Sequence, residues 1–431
     1  MTPPAETYSW RLQGAVYGTA FFFGPMQILA PMVAALFVAS LISIELPFLI
    51  AFILASRQIL TVSLSIYSGA LMGQFGTRRI VIIFALIGAV AALIYPLLPA
   101  AFDYSTGGID PRNPAWLFVA AIICAQMIAG YAEGTSWIGI QTLVAQLFRG
   151  HPTYAGRMTF SARIGGIIGP LVMGAVWDEW GVWGGFGFLS FWVFCGAIAA
   201  LFMPEIDGDM KPGTEKEAAE AAPKAAVKLR ASDYAQTFRL LLVPAVALVI
   251  MVTVIRQTGS GIQSSFYVIW LDKEIGLTGT LIGTLLATAN SVSAVAALST
   301  GLLARRFAAH WLLIVTIGMA ITGVAIVPAC RDIYVLLMIA AGIRGAGQGV
   351  NLPMMITIMA RNVPMNLLGR VTAMRTTFNR GGGALVPLGM GALAELVGIA
   401  NGFYIIGGAG IVLLGLLSIW VARTSDFQSS P

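Results

Sequence analysis

Six ionisable side chains stand inside stretches otherwise built of apolar residues: Arg57, Glu133, Arg163, Arg256, Arg344 and Arg380. A charge at the centre of a membrane helix costs about 2.5–3.5 kcal/mol or more, so each must face a polar cavity or a partner. Five are arginines, whose guanidinium stays charged and offers a fixed fork of donors to a carboxylate or phosphate. The sixth, Glu133, is the one acid far from any end of an apolar run, and a buried carboxylate can bind and release a proton near neutral pH. These residues predict recognition of an anionic solute, with Glu133 as a proton-coupling site. The competing expectation is structural, with Glu133 permanently paired to an arginine.

Helical spacing groups further polar residues with these charges. Arg256, Ser260, Gln263 and Tyr267 recur on one face, as do Arg344, Gln348 and Asn351 on another. Arg57, Thr61 and Ser68 line up in the same way, and so do Gln126, Glu133 and Trp137. Arg57, Arg256 and Arg344 fall about halfway along their runs at ~1.5 Å per residue. They are the leading substrate-binding candidates, joined by Gln263, Tyr267, Gln348, Asn351 and Trp137. Arg163 and Arg380 lie nearer one end, beside glycine-rich runs, and read as gating or packing residues.

The elements that position these groups are membrane spans. The 431 residues are 58% hydrophobic and only 10% charged, too few charges to cover a water-soluble surface of this length. Apolar runs of about 20 residues or more suffice to cross a bilayer. Cut at polar or turn-rich breaks they are 12–40, 47–73, 80–101, 115–147, 155–178, 183–203, 239–270, 277–303, 309–329, 333–360, 369–394 and 399–422. No period-two alternation of a membrane barrel is present, so the fold class is an all-α membrane protein of twelve helices. The 49 glycines suit close helix packing in lipid.

With the N-terminus inside, Arg11, Arg78, Arg79, Arg149, Arg157, Arg305, Arg306, Arg361, Arg370, Arg375 and Arg423 all fall in cytoplasmic segments. The opposite side holds only Arg112, Lys273 and Arg331 against a majority of acids, so each short loop obeys the positive-inside rule. The sequence predicts a multi-pass protein of the cell (inner or plasma) membrane with both termini cytoplasmic. Its first residues lack the features of a cleaved signal peptide, so the first apolar run is expected to be retained. An Ala-, Lys- and Glu-rich linker, 204–238, separates an N-terminal bundle (1–203) from a C-terminal bundle (239–431).

The two bundles are repeats. Residues 163–186 align without gaps on 380–403, pairing Arg163 with Arg380, Pro170 with Pro387, Gly174 with Gly391 and Gly181 with Gly398. Gly130 and Gly134 likewise stand opposite Gly345 and Gly349, which pairs Glu133 with Gln348. The segment 68–79, with Gly69, Leu71, Phe75, Gly76, Arg78 and Arg79, matches 299–310. That segment resembles the loop after the second helix of the major facilitator superfamily, with Gly73 where the family carries Asp and Arg305 at the second-half position. Together with twelve spans, a central linker and parallel repeats, the chain resembles that family over nearly its whole length. The resemblance implies secondary active transport by alternating access, the halves rocking about a site at the midplane.

Other chemistries lack their residues. There is no P-loop and no nucleophile–His pair, so neither an enzyme nor an ATP-driven pump is expected, and no cofactor is predicted. Cys124, Cys195 and Cys330 lack metal-ligand spacing and read as buried, inert thiols; His151 and His310 have no ligand-spaced partner. Topology accounts for the basic loops, leaving no case for nucleic-acid binding. Phe21, Phe22 and Phe23 read as packing, Pro25 and Pro31 as a kink in the first span, and Trp10, Trp116, Trp180, Trp183 and Trp270 as interface anchors. The predicted partners are the bilayer, an anionic small molecule and protons, with the chain acting as a monomer. Two alternatives stay open: proton-driven efflux of hydrophobic compounds, and a non-transporting receptor on a transporter scaffold.

Overall fold

The computed structural model describes residues 9–42, 46–102, 115–147, 152–203, 239–263, 265–362 and 365–424. The linker and the loop residues Arg112 and Arg149 lie outside this set. Each apolar run has its helix, and no strand occurs among the described residues.

The first run is α1 (Trp10–Phe23) and α2 (Met26–Leu41), broken at Gly24-Pro25, where the kink was expected. The second is α3 (Pro47–Ser56) and α4 (Ile59–Phe75), broken beside Arg57. Then come α5 (Thr77–Ala101), α6 (Trp116–Leu147) and α7 (Pro152–Leu201). In the second half α8 (Pro244–Gln263) and α9 (Phe266–Lys273) share one run, followed by α10 (Gly279–Arg306), α11 (Ala309–Ala325), α12 (Tyr334–Asn362), α13 (Met365–Val397) and α14 (Ile399–Arg423). Helix α7 carries both the fifth and sixth runs. Its limbs meet at Gly181, whose φ of 56° only glycine adopts readily. Beyond the break Gly184 and Gly185 lie against Val176 and Trp177, so the limbs pack side by side. The repeat mate Gly398, φ 83°, makes the corresponding turn from α13 to α14.

Nine helices among the described residues are long and apolar enough to cross a membrane. Helix α11 falls short of that set by length. Helix α13 lies outside it because a polar run, Arg370 to Arg380, interrupts it. Arg375 sits within this helix, half-buried. The loop motif takes the expected form at Gly76, which joins α4 to α5 with φ 84°; Gly69 lies in the last turns of α4. Arg78 Nη2 donates to the Leu201 carbonyl at 2.6 Å, tying that loop to the end of the first half, and Arg79 is exposed.

Glycine sets the closest approaches. A Cβ at Gly130 of α6 would stand 2.0 Å from the Arg57 carbonyl oxygen, and one at Gly345 of α12 would stand 2.1 Å from that of Ala289. Lipid gives helices little hydrophobic reason to associate, so such backbone contacts and small residues carry the packing.

One end of the bundle collects Arg78, Arg79, Arg305, Arg306 and Arg423, and we call it the basic end. The acidic end collects Asp178, Glu179, Glu274, Asp332 and Glu395. At the acidic end the halves are fastened twice. Asp178, at the turn within α7, accepts from the backbone N–H groups of Gly279 (2.6 Å) and Thr280 (2.7 Å) and from the Thr280 hydroxyl (2.6 Å). These are the unsatisfied first donors of α10, where a carboxylate also meets the positive end of the helix dipole. Glu395, at the end of α13, accepts from Phe48 N–H at the start of α3, at 3.3 Å. The gap-free repeat places Asp178 opposite Glu395, so the two clasps are pseudo-symmetric. Backbones meet beside both, with Gly174 against the Gly279 carbonyl and Gly391 against Ala51 and the Pro47 carbonyl.

Two smaller expectations change. Trp10, Trp116, Trp180 and Trp183 are exposed as interface anchors should be, but Trp270 is buried and lies against Phe403. Helix α8 ends at Gln263 and α9 begins at Phe266, and Trp270 joins a core made by residues of both halves. Cys124 is exposed and not buried, whereas Cys195 and Cys330 are partly buried.

Candidate substrate site between the two halves

The first half builds its charge site on one face of α6. Gln126, Gly130, Glu133 and Gly134 recur one or two turns apart, and the glycine gap at 130 lets the α3–α4 break sit against the helix. Arg57, at that break, is thereby laid along the face. Its Nη1 donates to Gln126 Oε1 at 3.2 Å and its Nη2 bonds Glu133 Oε2 as an ion pair. One turn on, Thr61 lies over Gly134, and Ser68 meets Thr135 at 2.9 Å and Tyr131 at 3.1 Å. The polar face expected of the second run is therefore satisfied within the first half.

Two cavities meet at Arg57. One, of about 440 Å³, lies within the first half and is bounded by Arg57, Glu133, Ser136 and Tyr95 among apolar residues that include Met26 and Phe186. Tyr95 stacks on Phe186 with ring centroids 4.5 Å apart. The other, of about 340 Å³, lies between the halves and is lined by Pro31, Leu54, Arg57, Gln58 and Gln126 on one side and Gly383 and Pro387 on the other.

The second half contributes its charges from α8 and α13. Arg256 Nη2 bonds Asn379 Oδ1, and the neighbouring Gln257 bonds the Asn379 backbone carbonyl. Gly382 makes room for Gln257, whose side chain would collide with any Cβ there. Arg375 precedes Asn379 by about one turn on the same face of α13. Arg163, from α7 of the first half, donates to Asn290 Oδ1 of α10 at 3.4 Å. Arg380 crosses the other way. Its Nη1 lies 3.4 Å from where a Gly134 Cβ would be, and its charge acts on Glu133. Arg163 and Arg380 thus reach across the contact between the halves, Arg57 lines the cavity there, and Arg256 stands beside Asn379, next to Arg380 on α13. Among the described residues Glu133 is the only carboxylate away from the helix ends.

The remaining candidates separate from this group. Arg344 is wholly buried inside the second half, its guanidinium carbon 4.9 Å from the Tyr267 ring centroid. That stacking replaces hydrogen bonds, since none of its three nitrogens has a partner. Asn351 is buried beside α11 and accepts from the Thr316 hydroxyl at 2.8 Å. Gln348 and Gln263 pair with each other at 3.1 Å. Trp137 is half-buried against the first half's core. Arg344, Tyr267 and Asn351 are shut inside the second half in this conformer. Arg375, Asn379, Asn290 and Gln257 join the site, and sequence reading had not selected them. The available signal was the polar run ending Asn379-Arg380 in α13.

The family model described as Major Facilitator Superfamily matches residues 15–256 and 249–431. The chain belongs to the major facilitator superfamily. It is accordingly a multi-pass membrane transporter and not an enzyme. Solved structures agree on the fold. The nucleoside transporter NupG is similar with a TM-score of 0.67 and 14% identity, over 98% of this chain and 100% of its own. A peptide transporter POT in complex with sulfate has a TM-score of 0.70 and 14% identity, over 98% and 97%. The xylose transporter XylE from E. coli, in an inward open conformation, has a TM-score of 0.67 and 15% identity, over 95% and 96%. Among curated proteins none matches the chain in sequence.

Proposed function

We propose that this major facilitator protein is a secondary active carrier of a small organic anion, coupled to protons, working by alternating access. The observation that supports the reading is that Arg57, Arg163 and Arg380, drawn from both halves, stand at the contact between them with Glu133 the one carboxylate beside them among the described residues. Such an excess of guanidinium in a membrane protein suits a solute that brings negative charge.

The Arg57–Glu133 pair supplies a coupling route. Glu133 holds Arg57. A substrate carboxylate that takes the Arg57 fork removes the ion-pair partner of Glu133 in a low-dielectric place, which favours its protonated form. Release of the anion reverses both steps. Arg163 and Arg380 stand on either side of the inter-half contact and follow its opening. On the positive-inside reading the basic end is cytoplasmic, both termini with it, and the clasped acidic end faces outward. The conformer is then the one closed to the outside.

The test is uptake into proteoliposomes of carboxylate and phosphate panels, with and without an inward proton gradient. The reading requires anion uptake that the gradient accelerates. Transport confined to neutral or cationic compounds would refute it. One observation favours a second reading, efflux of hydrophobic compounds: the largely apolar cavity beside Glu133 with its Tyr95–Phe186 stack. Loss of drug tolerance on deleting the gene, without any anion flux, would select that reading.

A further inference from the structure

The cavity between the halves holds a second polar group beside Arg57. Gln126 of α6 lines it and is wholly buried. Arg57 Nη1 donates to Gln126 Oε1 at 3.2 Å. A guanidinium has no acceptor, so this bond fixes the amide with its oxygen on Arg57 and leaves its NH2 group for another partner. That Nε2 is buried without a hydrogen-bond partner. An unmatched buried donor is unfavourable, yet here one belongs to the wall of the cavity that alternating access opens. Apart from Arg57 and Gln58, the rest of that wall is Pro31, Ala34, Leu54, Gly383 and Pro387, none of which has a side-chain acceptor. Glu133 lines the other cavity and not this one.

Resting on the anion-carrier reading, we infer that Gln126 is a specificity residue, whose Nε2 takes a hydrogen-bond acceptor that the substrate carries next to the carboxylate held by Arg57. The substrate is then a 2-oxo or 2-hydroxy carboxylate, and neither a plain carboxylate nor an amino acid. The shared bond sets the spacing. Each terminal guanidinium nitrogen carries two hydrogens, so Nη1 keeps one on Gln126 and offers the other to the substrate. Two donors joined through that bond stand side by side, which suits an acceptor on the carbon beside the carboxylate. A plain carboxylate leaves Nε2 unmatched, and a site built around a hydrogen bond discriminates strongly against the analogue that lacks it. A 2-amino acid fails differently. Its ammonium meets another N–H donor beside a guanidinium, with no carboxylate in the cavity wall to receive it.

The experiment measures counterflow in proteoliposomes of the full-length protein, with flux through protein-free liposomes subtracted. It uses pairs of acids that differ only at the second carbon: pyruvate with propionate, 2-oxoglutarate with glutarate, and phenylpyruvate with 3-phenylpropionate. Each pair is run beside its 2-amino counterpart. Thermal shift of the protein in detergent with each compound gives a second measure. The subsite predicts that the oxo acid is preferred over the plain acid by about tenfold or more in any pair that is carried, with the amino acid carried least. Gln126→Met, which keeps the length and removes the donor, should bring the oxo-to-plain ratio close to one. A plain acid carried and bound as well as its oxo partner by the unaltered protein would overturn the acceptor subsite while leaving the anion reading standing. A preference that survives Gln126→Met would overturn it too. Absence of flux for every acid would overturn both.

Discussion

The two halves solve the same packing problem and then part company in chemistry. In the first half Gly130 of α6 receives the backbone of the second run at Arg57 and Gly134 receives the Thr61 side chain, and in the second half Gly345 and Gly349 of α12 receive the backbone of α10. At the point of closest approach one half has Arg57 and the other Ala289. Opposite the ion pair of Arg57 with Glu133 stands a neutral pair, Gln348 with Gln263. The lesson is that duplication fixes where backbones touch, whereas the charge laid on that scaffold can differ between copies. Fastenings at the acidic end show the same pattern, with Asp178 accepting three hydrogen bonds and Glu395 a single longer one.

The comparison can be broken first at its shared part. Gly130→Leu and Gly345→Leu should destabilise the protein alike, by about 3 kcal/mol or more, because each drives a side chain into a backbone carbonyl. Size-exclusion profiles and thermal unfolding in detergent would show it. A harmless substitution at either position would mean that the close approach is not a packing requirement. The divergent part comes next. Arg57→Ala should lower transport about 100-fold or more while leaving expression intact, since it strands a buried carboxylate. Initial uptake rates in proteoliposomes check this, and unchanged kinetics would remove Arg57 from the site.

The clasps sharpen the contrast at lower amplitude. Asp178→Ala should shift the conformers away from closure at the acidic end by about tenfold, given the usual worth of a helix N-terminal carboxylate. Glu395→Ala should shift them by about threefold or less. Spin-label distances across the acidic end would give both populations, and equal shifts would deny the inequality of the clasps. Smallest of all, Gln348→Glu should alter transport by no more than about twofold, because the new acid meets the neutral Gln263. The pH profile of uptake would show whether a second coupling acid had been created.

The spans and the repeat were legible because each is a local or periodic property of the chain. The pairing of Arg57 with Glu133 was foreseeable as one of two outcomes, since only one interior acid exists to meet several arginines. Arg375 was not legible as an interior charge. It lies near the start of the run 369–394, close to Arg370, and was grouped with the bases of the cytoplasmic side, whereas α13 begins at Met365 and continues unbroken past it. Arg344 and Asn351 shared a helix face with Gln348, yet that face turns from the inter-half contact toward Tyr267 and α11. Spacing along one helix says which residues face together, but not which neighbour they face. Asp178 and Glu395 looked like span-end acids because their partners lie about a hundred and several hundred positions away, beyond any local pattern.

The clasps have a kinetic meaning for the empty carrier. Each carboxylate belongs to one half and each helix start to the other, so neither can be released without moving the halves apart. Their strength therefore sets how long an unloaded protein rests with its acidic end shut before returning for another passenger. A firmly fastened empty carrier that reopens only when cargo helps it favours swapping one solute for another over one-way accumulation. Loosening Asp178 should tilt this protein from exchange toward net flow.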